Sequence, residues 1–186
     1  MRILSGEFKG RELKTTAGPG YRPAMSKVRA AIFSMLEARG VAWQNTRVLD
    51  IFAGSGSLGL EALSRGAPYA AFVEADKKAA SLIGENARRF GLDENRFSVH
   101  ALEACAFLAA RNAPPFDVIF IDPPYRGNFL SSSITAVLRK DWLAKGGIIN
   151  AEVERSIALD PEADFPPLEC IADRTYGQTR VILWVY

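Results

Sequence analysis

Asp122-Pro123-Pro124-Tyr125 ends the apolar run "FDVIFI" and sets a carboxylate, a stiff turn and an aromatic ring side by side. Each proline fixes its φ at about −65° and restricts the residue before it, so the turn is rigid without help from packing. The Pro123 carbonyl can only accept a hydrogen bond, and an ionised Asp122 adds a second acceptor. Two adjacent acceptors suit an amino group that carries two hydrogens. An exocyclic base amine is a poor nucleophile because its lone pair is delocalised into the ring. Holding both N–H groups aims that lone pair at a methyl carbon, and the reaction becomes an in-line displacement accelerated by positioning and electrostatics. Unstacking a base costs a few kcal/mol and stacking on an aromatic ring returns about 1–3 kcal/mol, which is the task expected of Tyr125. Neither Cys105 nor Cys170 follows this run, so a cysteine that attacks a pyrimidine ring is not expected.

A second set of residues lies upstream. Gly54-Ser55-Gly56-Ser57-Leu58-Gly59 joins a strand pattern to a helix pattern, with Asp50 before it and Glu74 at the end of the next strand. Taken literally this is the G-x-G-x-x-G dinucleotide fingerprint, which makes an NAD-dependent oxidoreductase the competing reading. Asp50 opposes it, because a carboxylate there faces the place where a pyrophosphate rests on the helix start. S-adenosylmethionine (SAM) has no phosphate, and its ammonium group can pair with Asp50. Gly54 and Gly56 would let the backbone approach the ligand, and Glu74 would accept from both ribose hydroxyls. Glu103 and Ala104 fall after the third strand, where an adenine ring would lie, and Glu103 could accept from its exocyclic amine.

Positioning these residues requires an α/β domain. From residue 47 onward short apolar runs alternate with helical patterns, the order of a largely parallel sheet. The strands are predicted at 47–52, 69–75, 97–101, 116–122 and 146–153, with Gly66 and Gly91 closing two of the helices between them. "LECIADRTYG" and "TRVILWVY" have no helix between them and should form an antiparallel hairpin on the sheet edge. Ahead of this lie "RILSGEFKGRELK", predicted as two short strands, the turn-rich linker "GPGYRP", and a helix over 26–40 with Ser26 as its N-cap. The division expected is therefore a basic β-hairpin extension with linker at 1–23 and a catalytic domain at 24–186.

The chain has 186 residues with 48% hydrophobic and 24% charged residues, an ordinary composition for one domain. No apolar stretch approaches the roughly 20 residues that span a bilayer. "MRILSGEFKG" lacks the apolar core of a signal peptide, so a cytoplasmic protein without membrane contact is expected. Two cysteines and His100 provide no metal-ligand spacing, and no metal is expected. Net charge is +2, but residues 1–40 hold eight Lys/Arg against three Glu, or +5, and the remainder holds fifteen against eighteen, or −3. That asymmetry points the N-terminal end toward a polyanion. Arg2, Lys9, Arg11, Arg22, Lys27 and Arg29 are the candidate phosphate contacts.

The four-residue motif resembles that of the [DN]PP[YF] amino-methyltransferases. It does not by itself choose among guanine-N2, adenine-N6 and a protein glutamine, nor exclude a chain that kept the fold as a non-catalytic assembly factor. "RILSGEFKGREL", "RP…SKVR…IF", "VLDIFAGSGSLGLEALSRGA", "FVEAD", "FIDPPY" and "YGQT", in that order, resemble the RsmD family over nearly the whole chain. The resemblance implies a Rossmann-like class I SAM-dependent methyltransferase with a mostly parallel seven-stranded sheet. It implies methylation of the N2 amine of a guanine in 16S rRNA, on a small ribosomal subunit or late assembly intermediate, by a monomer that releases S-adenosylhomocysteine. Asp50, Phe52, Gly54, Gly56, Glu74, Glu103 and Ala104 are its implied cofactor residues, and Asp122 to Tyr125 its catalytic ones. The chain departs from the family pattern at Ala24, Ser26 and Ala30.

Overall fold

The strands predicted from 47 onward form one sheet because their central residues are mostly apolar and must be covered on both faces. The computed structural model describes residues 1–16, 23–110, 113–124 and 128–186, side chains at 23–25 excepted. Its elements are α1 (Pro23–Ala38), β1 (Arg47–Ile51), α2 (Ser57–Ser64), β2 (Tyr69–Val73), α3 (Lys77–Arg89), β3 (Phe97–His100), α4 (Ala104–Ala109), β4 (Phe116–Ile121), α5 (Phe129–Arg139), β5 (Leu143–Glu154), β6 (Glu169–Tyr176) and β7 (Thr179–Val185). The seven strands lie in the order β3-β2-β1-β4-β5-β7-β6. The first five are parallel, while β7 runs antiparallel to both β5 and β6. The order reverses between β1 and β4, and a ligand crevice is expected outside the carboxyl ends of strands at such a point.

Side chains alternate across the sheet, so it carries two cores. Val48, Phe72, Val118, Phe120 and Ile148 pack on one face with Ile32, Phe33 and Leu36 of α1 and Leu60 and Leu63 of α2. Leu49, Ile51, Ile119, Ile121, Ile149 and Ala151 pack on the other with Ile134 and Val137 of α5 and with Trp142 and Trp184. The hairpin expected at the sheet edge is present, its strands joined through Gly177 and Gln178 with Gly177 at φ 62.

Two N-terminal expectations change. The helix begins at Pro23 rather than at Ser26, which suits proline, whose missing N–H costs nothing in the first turn. Ser26 therefore caps nothing, and its hydroxyl is buried with no partner among the described residues. The β-hairpin predicted for the first residues is a looped arm closed by one bridge, Arg2 to Glu12. Its backbone groups turn to the helices instead. Leu4 and Ser5 N–H donate to Glu61 at 2.7 and 2.9 Å, and Phe8 N–H donates to the Ser64 hydroxyl at 2.9 Å. Lys14 exchanges two 2.9 Å bonds with the Asn86 side chain. Ile3, Phe8 and Leu13 enter the core of the first face. The fit is close enough that a Cβ on Gly6 would lie 1.8 Å from the Ser64 carbonyl oxygen.

Candidate active site

The crevice forms where β1 turns into α2. Asp50 stands among the buried Val48, Leu49 and Ile51, itself 2% exposed. Its Oδ2 accepts from Gly59 N–H at 2.9 Å, one of the four N–H groups that the start of a helix leaves without a partner. The carboxylate thus anchors α2 and occupies a donor that a pyrophosphate would use. Burial pushes its pKa up to about 8; the Gly59 bond opposes that rise, and the charges of Asp122 and Glu74 add to it.

Phe52, the next residue but one, has φ 62. A bulky side chain in that region costs on the order of 1–3 kcal/mol and marks a site where the surroundings impose the conformation. Its ring meets Phe129 edge-on, with centroids 5.9 Å apart. Gly54 follows at φ 54, with open space where a side chain would stand. Its N–H donates to Glu74 Oε2 at 2.7 Å, and Glu74 Oε1 accepts from Asp76 N–H at 2.8 Å. Glu74 therefore ties the glycine loop to the end of β2, and each oxygen has a second lone pair for a ligand hydroxyl. Gly56 takes a different role from the one expected. It adopts φ 72 ahead of α2, and a Cβ there would meet Ile83 of α3 at 3.0 Å, so this glycine serves the turn and helix packing.

A cavity of about 380 Å³ opens at this edge. It brings Phe52, Glu74, Glu103, Ala104, Asp122 and Pro124 together and adds Val73, Ala75, Leu102 and Phe129. Ligand pockets run to roughly 300–1,000 Å³, apolar with a few convergent polar groups, and this one conforms. Leu102, 49% exposed, is a residue that sequence reasoning passed over. Its signal was an apolar side chain directly after a strand, at the edge where ligands bind. A hollow of about 390 Å³ between α3 and β3, lined by Lys77, Ser81 and Arg88 among others, holds none of the expected residues.

Asp122 follows β4, which lies beside β1 as required, and its N–H reaches the Ile51 carbonyl at 3.5 Å. The residue keeps surface toward the cavity while protein surrounds its carboxyl on the other sides. The resulting loss of water pushes its pKa up to about 6. Glu152, on β5, was also missed, because it sits in an apolar strand pattern with no motif around it. Burial pushes it up to about 8; the charges of Asp122 and Asp50 add to the rise and Arg29 opposes it. Tyr125 lies outside the described residues. Among the described residues no group of three or more His, Cys, Asp or Glu could hold a metal ion.

The basic candidates divide. Arg2, Lys9, Arg11 and Lys27 are exposed. Arg2 pairs with Glu12 at 2.8 Å, and the Arg11 guanidinium lies over the Phe8 and Phe90 rings at 5.7 and 5.4 Å. Arg29 is instead 4% exposed, donates to the Arg2 carbonyl and lies 3.9 Å from Glu61. It is withdrawn from the phosphate contacts, because that role would require abandoning these partners. Arg22 lies outside the described residues.

Strand order, the antiparallel β7 and a crevice at the β1/β4 reversal define the Rossmann-like fold of class I SAM-dependent methyltransferases. A protein described as a methyltransferase complexed with S-adenosylhomocysteine shares that fold at TM-score 0.69 and 17% identity, over 89% of this chain and 50% of that one. The family described as conserved hypothetical protein 95 matches residues 1–185. The chain belongs to this family, the RsmD family of the sequence resemblance. It is 36% identical to the Escherichia coli K12 protein named ribosomal RNA small subunit methyltransferase D, over 87% of this chain and 79% of the relative. A Thermus thermophilus protein described as hypothetical superposes at TM-score 0.81 with 34% identity, covering 100% of this chain and 99% of that one.

Proposed function

We propose that this chain methylates the N2 amine of a guanine in the RNA of the small ribosomal subunit, with SAM as methyl donor. The observation that carries the reading is the single cavity in which Phe52, Glu74, Glu103 and Ala104 meet Asp122 and Pro124. The residues fit SAM. Gly54 leaves room for the ligand, Glu74 and Glu103 can accept from ribose and adenine, and Ala75 and Leu102 provide apolar wall. Asp122, ionised above about pH 6, makes this edge of the crevice negative, which suits a sulfonium cation. When bound, SAM supplies an electrophilic methyl carbon. Asp122 and the Pro123 carbonyl hold the two N–H groups of the amine, and the rigid turn keeps them from drifting. An ionised Asp122 also stabilises the positive charge that develops on the nitrogen and can take its proton. Tyr125 supplies the stacking surface for the extruded base. Arg2, Lys9, Arg11, Lys27 and Arg22 make the phosphate contacts of a protein that acts as a monomer in the cytoplasm, on an assembled or nearly assembled subunit.

The test is nucleoside mass spectrometry of unmodified small subunits incubated with the protein and isotopically labelled SAM. Label in N2-methylguanosine supports the reading. Label in another nucleoside, or none in any, overturns it.

A further inference from the structure

Asp122 and Pro123 account for an amine and nothing else, and the neighbouring strand carries further polar groups level with them. Phe120 pairs with Asn150 and Ile121 with Ala151 across the parallel β4–β5 ladder, so the next step brings Asp122 level with Glu152. Strands are spaced by about 4.8 Å, which puts the two carboxyl groups within the span of one base edge. Alternation places Asn150 and Glu152 on the face of Phe120, whose ring packs against Phe33 of α1 at 5.8 Å. The charged groups that bear on Glu152 are Asp122 from β4, Asp50 from β1 and Arg29 from α1, while its partner on β7, Val181, has none. Below it, Asn150 is 0% exposed, and its Oδ1 and Nδ2 have no hydrogen-bond partner among the described residues. A buried amide without partners is costly where packing alone is served, so this face of β5 carries polar groups beyond what the sheet requires.

We propose that Glu152 determines base specificity by pairing with the guanine ring next to the amine that Asp122 holds. The inference rests on the guanine reading above and deepens it. A neutral carboxyl offers one acceptor and one donor. Its C=O can take the guanine N1–H while its O–H bonds O6, closing a two-bond ring beside the N2–H bonds to Asp122 and Pro123. Burial beside two other carboxylates is the environment that keeps such a group protonated. Adenine presents an acceptor beside its amine and no second partner, so one half of the pair is lost. The arrangement makes the choice between guanine and adenine that the four-residue motif leaves open.

The experiment replaces the target guanine by 2-aminopurine, which keeps the exocyclic amine but lacks N1–H and O6, in small-subunit RNA at the position that mass spectrometry shows to be methylated. Wild type should transfer methyl to guanine with a kcat/KM roughly 5- to 150-fold above that for 2-aminopurine, the range for one bidentate base contact. In Glu152→Ala that ratio should collapse toward one with SAM binding retained. Glu152→Gln, whose amide keeps one acceptor and one donor, should keep the preference and lose the fall in rate that wild type shows as pH rises through about 8. If Glu152→Ala fails to fold, the glutamine variant decides by these two readouts. Equal transfer to both bases by wild type, an undiminished ratio in Glu152→Ala, or matching alkaline profiles for wild type and Glu152→Gln would each overturn the proposal. If wild type leaves guanine itself unmethylated, the underlying reading falls and this one falls with it.

Discussion

Glu61 joins the N-terminal arm to the catalytic core, and its removal gives a sharp test of how the site is assembled. It is 0% exposed and accepts from Leu4 and Ser5 N–H at 2.7 and 2.9 Å and from Arg65 Nε at 3.0 Å. Arg29, 5% exposed at its side chain, lies 3.9 Å away. Glu61→Ala removes the buried partner of Arg65, which keeps Glu37 at 2.6 Å, together with the charge beside Arg29, and breaking a buried ion pair from one side costs about 3–5 kcal/mol. The arm could escape the loss by undocking. That would expose Ile3, Phe8 and Leu13, each buried to within 6%. Re-exposing three such side chains costs on the order of 5–9 kcal/mol, at 1.5–3 each, which exceeds the polar loss. The arm should therefore stay docked and the variant should lose about 4 kcal/mol, a large part of the 5–15 kcal/mol typical of a domain. With a urea m-value of about 2 kcal/mol/M, the midpoint should fall by about 2 M. Urea titration followed by fluorescence of the buried Trp142 and Trp184, with hydrogen exchange at Leu4 and Ser5, checks both parts. A loss under about 1 kcal/mol with both amides still protected would refute the assignment of Glu61 as the anchor.

Three further predictions concern the carboxylates. The folded-state pKa of Asp50, about 8, lies above its unfolded value of 3.8, so its ionisation favours the unfolded chain and stability falls as pH rises from about 4 toward 8. Asp50→Asn should flatten this fall by about 2 kcal/mol between pH 5 and 7, at 1.36 kcal/mol per unit and discounted for neighbouring carboxylates; denaturant melts of both proteins at the two pH values measure it. Asp122 works as a carboxylate, so the wild-type rate should drop as pH falls through about 6, and Asp122→Asn, which keeps an acceptor, should lose that acid limb in a pH-rate profile. Glu74→Ala removes the acceptors of Gly54 and Asp76 N–H as well as the expected ribose partner, so SAM affinity measured by calorimetry should fall by at least about tenfold, one hydrogen-bonded charge at 1.5–3 kcal/mol.

Strands and their order of use were legible because sheet residues covered on both faces read as apolar runs, and the hairpin because its two runs leave no room for a helix. The arm was misread as two strands because "RILSGEFKGREL" has strand-like residues but no sheet edge to join; its N–H groups find Glu61, Ser64 and Asn86 on α2 and α3. Glu61 stood inside the quoted glycine-loop segment without a role, since nothing local tells a buried anchor from a solvated helix residue. Arg29 was counted as a surface charge for the same reason.

What the sequence determined by itself is the chemistry at either end of the crevice: a rigid turn with two acceptors after one strand, and a glycine loop flanked by acids around another. Those features are local, because proline and glycine act on the backbone at their own positions. Tertiary structure decided which acids meet. Asp50, Asp122 and Glu152 come from strands far apart in the chain, and only the β1-β4-β5 adjacency sets them side by side. The loss of water around their carboxyl groups, which raises all three pKa values, is a property of that neighbourhood and has no counterpart along the sequence.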